Sequence, residues 1–408
     1  MISISSTSNL DPQLYKNDNN SVIFLDKLPK LSATSINITT PENKTYTEPM
    51  GGFYPATYGF ENESDGTNGT DIGFVDSLDG GGSVEVISEL TGHSKVIYYN
   101  TTANWQWANN SFELSQTSGT VEFWIRLGET NERHVIYLLD GSGGSISLNW
   151  WEDGYLKYDD RPDGIIETIE SYNALQWYHV RIEFDLAIDW HLWIDGVSKD
   201  GGSGYGYDHT PSSFDEFVFG GSDSSNMWLD AVGYSWDTDY TIGDNLNEGL
   251  LLSYVNNIVL DWKGYSLDGQ TNKTMMGNTT ISFPTQGGLH TIQVFGNDST
   301  GTMYQSEIRY FSIDITAPAS MISFTPYNGT NEVNKSTTFT LTANDGVGSG
   351  VSVIRYKIND SSWIDYSAPF NLSIYEYGYY MIFYYSMDVV GHIEPENTLL
   401  VKLVEVQS

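Results

Sequence analysis

Residues 177–196 read WYHVRIEFDLAIDWHLWIDG, and this stretch decides the fold. Apolar and polar side chains alternate with a period of two along 180–185 and again along 190–194, which is typical of strands with one buried face. Asp195-Gly196 is a hairpin turn signal, and Asp153-Gly154 repeats it upstream. No segment of the chain shows a convincing amphipathic pattern with a helical period. The sequence therefore predicts an all-β protein.

The chain has 408 residues, with 53 Asp and Glu against 18 Lys and Arg, so its formal net charge is −35. Nucleic-acid binding needs clustered cations to neutralise phosphates, and this charge balance excludes it. There is no cysteine, so disulfides and zinc–thiolate sites are excluded as well. The longest uncharged apolar stretch, 377–387, is too short to span a membrane. We expect no nucleic-acid partner and no membrane span in this chain.

Turn-rich runs and junction residues divide the chain into four predicted parts. Residues 1–48 are a polar segment and linker, and residues 49–246 form one large sheet domain. Residues 247–314 and 315–408 contain similar strand-like runs over lengths typical of small sandwiches. The Asp314–Pro318 stretch separates these last two blocks, because proline forces extended geometry on the residue before it.

Three parts of the chain show a family resemblance. Residues 52–240 resemble the laminin-G-like, concanavalin-A-type jelly roll, through the stretches 58–61, 119–126, 177–180, 190–196 and 229–234. Residues 315–408 resemble an immunoglobulin-like repeat of bacterial and archaeal surface proteins, and residues 247–314 resemble the same sandwich class more loosely. The repeat pattern runs from Asp314 through Asp345 and Gly348-Ser-Gly-Val351 to Asp388 and Gly391, after which Asn is usual and His392 stands here. The resemblance implies a jelly roll followed by two immunoglobulin-like β-sandwich modules in an archaeal-type cell-surface protein.

Catalytic motifs are missing from the sequence. It has no G-x-S-x-G elbow, no H-E-x-x-H and no phosphate-binding loop with its lysine. Glucanases with this sheet architecture place carboxylates as E-x-D-x-x-E on one strand, and the first domain has no such run. We therefore predict a protein that is not an enzyme.

A structural calcium ion is the predicted cofactor. The run Glu61-Asn-Glu63-Ser-Asp65-Gly66 alternates carboxylates before a glycine, as calcium loops do. The jelly-roll resemblance implies that such an ion lies between this segment and an Asp of the last strand, which is Asp230 here. The predicted ligands are Glu61, Glu63, Asp65 and Asp230. The alternative is a solvated loop that carries glycan acceptors.

Aromatic side chains around one predicted hairpin are candidates for sugar stacking, since the apolar faces of sugar rings pack on Trp and Tyr. The predicted ligand-binding residues are Trp150, Trp151, Tyr155, Tyr158 and Arg161. Consecutive strand residues point to opposite faces, so one of the two tryptophans can be exposed. Trp105 with Trp107, and Tyr205 with Tyr207, are further candidate groups. The alternative is that aromatics in alternating strands fill the core.

Asn-x-Ser/Thr acceptors occur about twice as often as chance predicts, which favours an exported glycoprotein over a merely Asn-rich chain. The predicted glycosylation sites are Asn37, Asn43, Asn62, Asn68, Asn100, Asn272, Asn278, Asn297, Asn328, Asn334 and Asn371.

These observations favour a non-catalytic extracellular adhesion or carbohydrate-binding protein, with the jelly roll as recognition head and the sandwiches as stalk. Its expected partner is an extracellular glycan or a surface protein. The alternatives are a self-associating subunit of a surface layer or filament, or an accessory region of a larger polysaccharide-active enzyme.

Overall fold

A computed structural model describes residues 14–16, 22–24, 36–76, 78, 81–88, 90–102, 105–141, 145–160, 165–222 and 224–406. Arg161 lies outside the described residues. The regular secondary structure within these ranges consists of strands, with two short 3-10 helices at Gly69–Ile72 and Asp244–Leu246. No helix within them is both long enough and apolar enough to cross a membrane. The all-β prediction is confirmed.

Strands that precede the jelly roll are β1 (Leu14–Lys16), β2 (Val22–Phe24), β3 (Ile36–Thr40) and β4 (Thr45–Tyr46). The jelly roll contains β5 (Val75–Asp76), β6 (Ser83–Ser88), β7 (Lys95–Asn100), β8 (Gln106–Gln116), β9 (Ser118–Leu127), β10 (His134–Leu139), β11 (Ser145–Trp150), β12 (Tyr155–Asp160), β13 (Ile165–Ser171), β14 (Trp177–Asp185), β15 (Asp189–Ile194), β16 (Val197–Ser198), β17 (Phe214–Gly221) and β18 (Asn226–Tyr234). These form two seven-stranded sheets, in the orders β13-β12-β11-β10-β17-β8-β5 and β16-β15-β14-β9-β18-β7-β6.

The jelly-roll core lies between these two sheets. The alternation along β14 buries Val180, Ile182 and Phe184, as the sequence predicts. Phe123 from one sheet meets Phe217 from the other, with ring centroids 5.2 Å apart. The hairpin turn between β15 and β16 falls at Asp195-Gly196, where both residues have positive φ.

The second sandwich contains β19 (Leu250–Asn256), β20 (Trp262–Leu267), β21 (Lys273–Thr274), β22 (Thr279–Ile281), β23 (Gly288–Asn297), β24 (Met303–Gln305) and β25 (Arg309–Ile313). The third contains β26 (Ala319–Ser323), β27 (Glu332–Val333), β28 (Thr340–Asn344), β29 (Val351–Ile358), β30 (Ile364–Asp365), β31 (Gly378–Asp388) and β32 (Asn397–Leu403). Each has a hydrophobic core of its own. Their assignment to the immunoglobulin-like class stays a prediction.

The prediction that residues 1–48 form a polar segment and linker is wrong for residues 36–46. Strand β3 pairs antiparallel with β19, and β4 pairs parallel with β25. Ile36, Ile38 and Tyr46 are buried in the core of the second sandwich. The jelly roll is therefore inserted between strands of the second sandwich, and its two ends meet where the Met50 amide donates to the Gly249 carbonyl over 2.9 Å.

Candidate functional site

A row of four side chains crosses one end of the β13–β5 sheet. The register joins Gln106 to Gly221, Gly221 to His134, and His134 to Trp150, so β8 and β10 begin where β17 and β11 end. The next residue beyond each of these strand ends belongs to a further row, which consists of Trp105, Ser222, Arg133 and Trp151. Because Trp150 faces the core and side chains alternate, this next row faces away from the core.

The four residues line an open cleft of about 460 Å³. Its walls are formed by Trp105, Asn131, Glu132, Arg133, Trp151, Glu152 and Ser222. Trp105 is 44% exposed, and Trp151 is partly buried. The cleft thus combines two aromatic surfaces with carboxylate, amide and guanidinium groups.

The Arg133 guanidinium lies between the two tryptophans. Its carbon lies 4.2 Å from the ring centre of Trp151 and 5.1 Å from that of Trp105. Its Nη2 donates to Asn149 Oδ1 over 2.5 Å, and Asn149 in turn donates to Ser147 Oγ over 2.8 Å. Asn149 and Ser147 are both buried, so the arginine is held in place by groups that cannot relax into solvent.

The loops around Arg133 are fixed by a second set of hydrogen bonds. The Arg133 amide donates to Ser222 Oγ over 3.0 Å, and that hydroxyl donates to Glu132 Oε2 over 3.1 Å. Within the described chain, Arg133 Nε and Trp151 Nε1 are buried and have no hydrogen-bond partner. A buried donor without an acceptor costs about 1–3 kcal/mol. Both donors belong to residues that line the cleft.

The prediction of ligand binding is wrong for two residues, Trp150 and Tyr158. Trp150 is 2% exposed and Tyr158 is 6% exposed, and both belong to the jelly-roll core. Tyr158 packs on Tyr205, with ring centroids 4.2 Å apart, so its side chain is used for packing. Trp151 lines the cleft, and Tyr155 is exposed without being among the cleft residues.

The other aromatic candidates divide in the same way. Trp105 belongs to the cleft, and Trp107 is exposed one row further along β8. The Tyr205 hydroxyl donates to the Lys199 carbonyl and the Tyr207 hydroxyl to the Asp189 carbonyl, and both rings pack against the core. Tyr205 and Tyr207 therefore stabilise the fold.

Sequence reasoning missed Arg133, the residue that joins the two tryptophans. Its sequence neighbours, Glu132 and His134, give it no motif. Only the register of β10 with β11 and β17 brings it between Trp151 and Trp105, which are 46 positions apart.

The burial of His134, next to this cleft, indicates that the free energy of unfolding depends on pH. Burial lowers its pKa to about 4, against about 6.5 in an unfolded chain. Between these pH values the unfolded chain takes up a proton that the folded chain does not, so stability falls as the pH falls. We expect a loss of roughly 2 kcal/mol between pH 6.5 and 4.5 from this group. Urea unfolding of the wild type and of His134→Leu across this range measures it, and equal slopes for the two proteins would refute it.

Glu61 and Asp230, two of the predicted calcium ligands, come together. Burial, and secondly the Asp230 carboxylate, raise the pKa of Glu61 well above its usual range. Burial likewise raises the pKa of Asp230. Burial lowers the pKa of His93, whose Nδ1 lies 2.7 Å from Asp230 Oδ2, to about 3. The pairing of β18 with β9 shifts its register between Asp230 and Gly233, so Asp230 lies at an irregularity of the sheet.

The other two predicted calcium ligands are used elsewhere. Asp65 Oδ1 forms an ion pair of 2.5 Å with Lys95 Nζ and also accepts from Ser88 Oγ. Glu63 Oε1 accepts from Asn62 Nδ2 over 3.3 Å. Glu63 and Asp65 therefore have other partners, and a calcium ion at Glu61 and Asp230 stays a prediction.

None of the eleven predicted glycosylation sites is buried. Those exposed are Asn37, Asn43, Asn62, Asn68, Asn272, Asn328 and Asn371, and those partly exposed are Asn100, Asn278, Asn297 and Asn334. Their modification stays a prediction.

The family described as the concanavalin A-like lectin/glucanases superfamily matches residues 99–234, a range that contains every residue of the cleft. Similar solved structures include a sialidase, 12% identical with a TM-score of 0.36, which covers 47% of this chain while the chain covers only 19% of the sialidase. The cellulose induced protein Cip1 is 13% identical over 44% of this chain and 95% of its own, with a TM-score of 0.35. The carbohydrate binding module CBM66 from Bacillus subtilis is 14% identical over 38% and 95%, with a TM-score of 0.26. These likenesses concern the fold alone. No curated protein matches the chain.

Proposed function

We propose that this protein binds carbohydrate outside the cell, without turning it over, through the cleft at the end of the jelly-roll sheet. The observation that carries the proposal is the Arg133 side chain held between Trp105 and Trp151. The exposed ring of Trp105 and the partly buried ring of Trp151, which also has Lys157 Nζ 4.9 Å from its centre, offer stacking surfaces for sugar rings. The guanidinium, carboxylate and amide groups offer partners for hydroxyls. The family match over residues 99–234 supports the same class of ligand.

The cleft is built for recognition. Its two carboxylates, Glu132 and Glu152, stand on loops at the sheet end, and Glu132 accepts a hydrogen bond from the Ser222 hydroxyl. They do not alternate along one strand as the glucanase carboxylates do. Enzymes and binding modules share this fold, so the fold alone does not decide between them.

A glycan array at pH 7 with calcium tests the binding. We expect retention of a restricted set of glycans, with no reducing ends released when the same glycans are incubated with the protein. Silence across diverse polysaccharides would contradict the proposal, and so would the release of reducing ends.

We also propose a structural calcium ion held by Glu61 and Asp230, which would supply the positive charge that these buried carboxylates lack. Glu61 Oε1 accepts from Thr280 Oγ1 of the second sandwich over 2.7 Å, so this site lies beside the contact between the two modules.

Calcium is therefore expected to raise the melting temperature. An ion present at a hundred times its dissociation constant adds about 2.7 kcal/mol to the free energy of unfolding. Glu61→Gln should abolish the shift, and Asp65→Asn should keep it, because Asp65 pairs with Lys95 instead. A thermal melt with and without calcium measures the shift, and equal shifts in both variants would contradict the assignment.

A further inference from the structure

Acidic side chains converge at the junction between the second and third sandwiches. Asp314 directly follows β25, the last strand of the second sandwich, and its amide donates to the Tyr46 carbonyl of that module. Asp345 follows β28, and Asp388 ends β31, in the third sandwich. His392 stands four residues after Asp388. The junction thus brings three aspartates and one histidine together from two modules.

The ligand atoms in this cluster lie close enough together to hold one metal ion. His392 Nδ1 lies 2.8 Å from Asp388 Oδ2 and 3.8 Å from Asp314 Oδ1. One ligand atom from each of these three residues lies within 4.8 Å of the other two. Asp314 and Asp388 are completely buried, and His392 is partly exposed. One edge of the cluster is therefore open to an entering ion.

Asp345 supplies an independent observation. It is 9% exposed, and its Oδ1 has no hydrogen-bond partner within the described chain, while its Oδ2 accepts from the Gly350 amide over 2.7 Å. A Cβ atom on Gly348 would lie 2.8 Å from Asp345 Cγ and 2.9 Å from Asp314 Oδ1. The Asp345 and Asp314 carboxylates therefore flank the same point, and Asp345 lies beside the cluster.

The charges of the cluster do not balance. Three carboxylates face one imidazole, so even a protonated His392 leaves two negative charges. Backbone amides of Ser349, Gly391 and His392 donate to these carboxylates, but no Lys or Arg of the described chain forms an ion pair with any of the three aspartates. These hydrogen bonds stabilise the charged carboxylates, and the net negative charge that remains favours a bound cation.

We propose that Asp314, Asp388 and His392, with Asp345 beside them, bind one divalent metal ion. An imidazole nitrogen among carboxylate oxygens suits Mn²⁺ or Zn²⁺ better than Ca²⁺, which takes oxygen ligands. Because Asp314 belongs to the second sandwich and the other residues to the third, the ion ties the two modules together. This site is separate from the single calcium ion proposed at Glu61 and Asp230.

Isothermal titration of the metal-free full chain with Mn²⁺, Zn²⁺ and Ca²⁺ tests the proposal. We expect one site for Mn²⁺ or Zn²⁺ whose affinity falls at least tenfold in Asp388→Asn and in His392→Ala. The control variant Asp65→Asn changes an exposed carboxylate that pairs with Lys95, and it should retain the site. His392→Asn exchanges the ring nitrogen for an amide oxygen, and we expect it to shift the preference toward Ca²⁺.

A second measurement needs no variant and so does not depend on their folding. Mn²⁺ should broaden the His392 imidazole resonances of the wild-type protein at substoichiometric concentration, before those of His209, which is exposed. Binding left unchanged by both Asp388→Asn and His392→Ala would overturn the proposal. The lack of any metal binding would also overturn the proposal, because a protonated His392 would then be the only positive charge beside these aspartates. Binding of Ca²⁺ alone would overturn the role given to the imidazole.

Discussion

Trp150→Ala and Trp151→Ala are expected to give opposite results although the two residues are adjacent. Trp150 is 2% exposed in the jelly-roll core, so its truncation should lower the free energy of unfolding by about 3–5 kcal/mol. Trp151 lines the cleft and stacks on Arg133, so its truncation should leave folding largely intact. Glycan affinity should then fall roughly tenfold or more, since a lost aromatic contact with its buried area is worth about 1.5–3 kcal/mol.

Denaturant unfolding and glycan retention, measured on both variants, check this pair of outcomes. Trp193→Ala is the matched control, because Trp193 carries its own stacked arginine, Arg181 at 4.9 Å, on the opposite sheet. It should retain glycan as the wild type does. If Trp151→Ala and Trp193→Ala retain glycan equally, the cleft is not the binding site.

Deletion of residues 1–46 is expected to unfold the second sandwich, although that sandwich lies 200 residues further along the chain. The deletion removes β3 and β4 and takes Ile36, Ile38 and Tyr46 out of the core. Burial of three such side chains is worth about 5–8 kcal/mol, which is comparable to the whole stability of a small domain.

A deletion of residues 1–30 keeps both strands and is the matched control. Amide hydrogen exchange along β19 and β25 distinguishes the two proteins: protection should be lost in the first and kept in the second. Full protection of β19 after the longer deletion would contradict the insertion of the jelly roll into this sandwich.

Local patterns in the sequence were enough to predict the hairpins. The alternation along residues 177–196 requires one buried face, and Asp195-Gly196 accepts the positive φ angles of the turn. The same period showed that Trp150 and Trp151 face opposite ways. It could not tell which of them faces the core, because β11 is buried on both faces.

Long-range pairing explains what the sequence did not reveal. Strand β3 pairs with β19 across more than 200 residues, and no local pattern records such a partner. Arg133 meets Trp151 and Trp105 only through the register of four strands. Asp65 carries the spacing of a calcium ligand, but the nearby Lys95 binds it, and that contact depends on the fold.

The most direct test of the proposed function follows the indole N–H resonances of the protein by NMR during titration with the oligosaccharide that the array retains best. We predict shifts for Trp151, whose Nε1 has no partner within the described chain, and for Trp105, with none for Trp193 on the other sheet. Shifts at Trp193 with Trp105 and Trp151 unchanged would contradict the account.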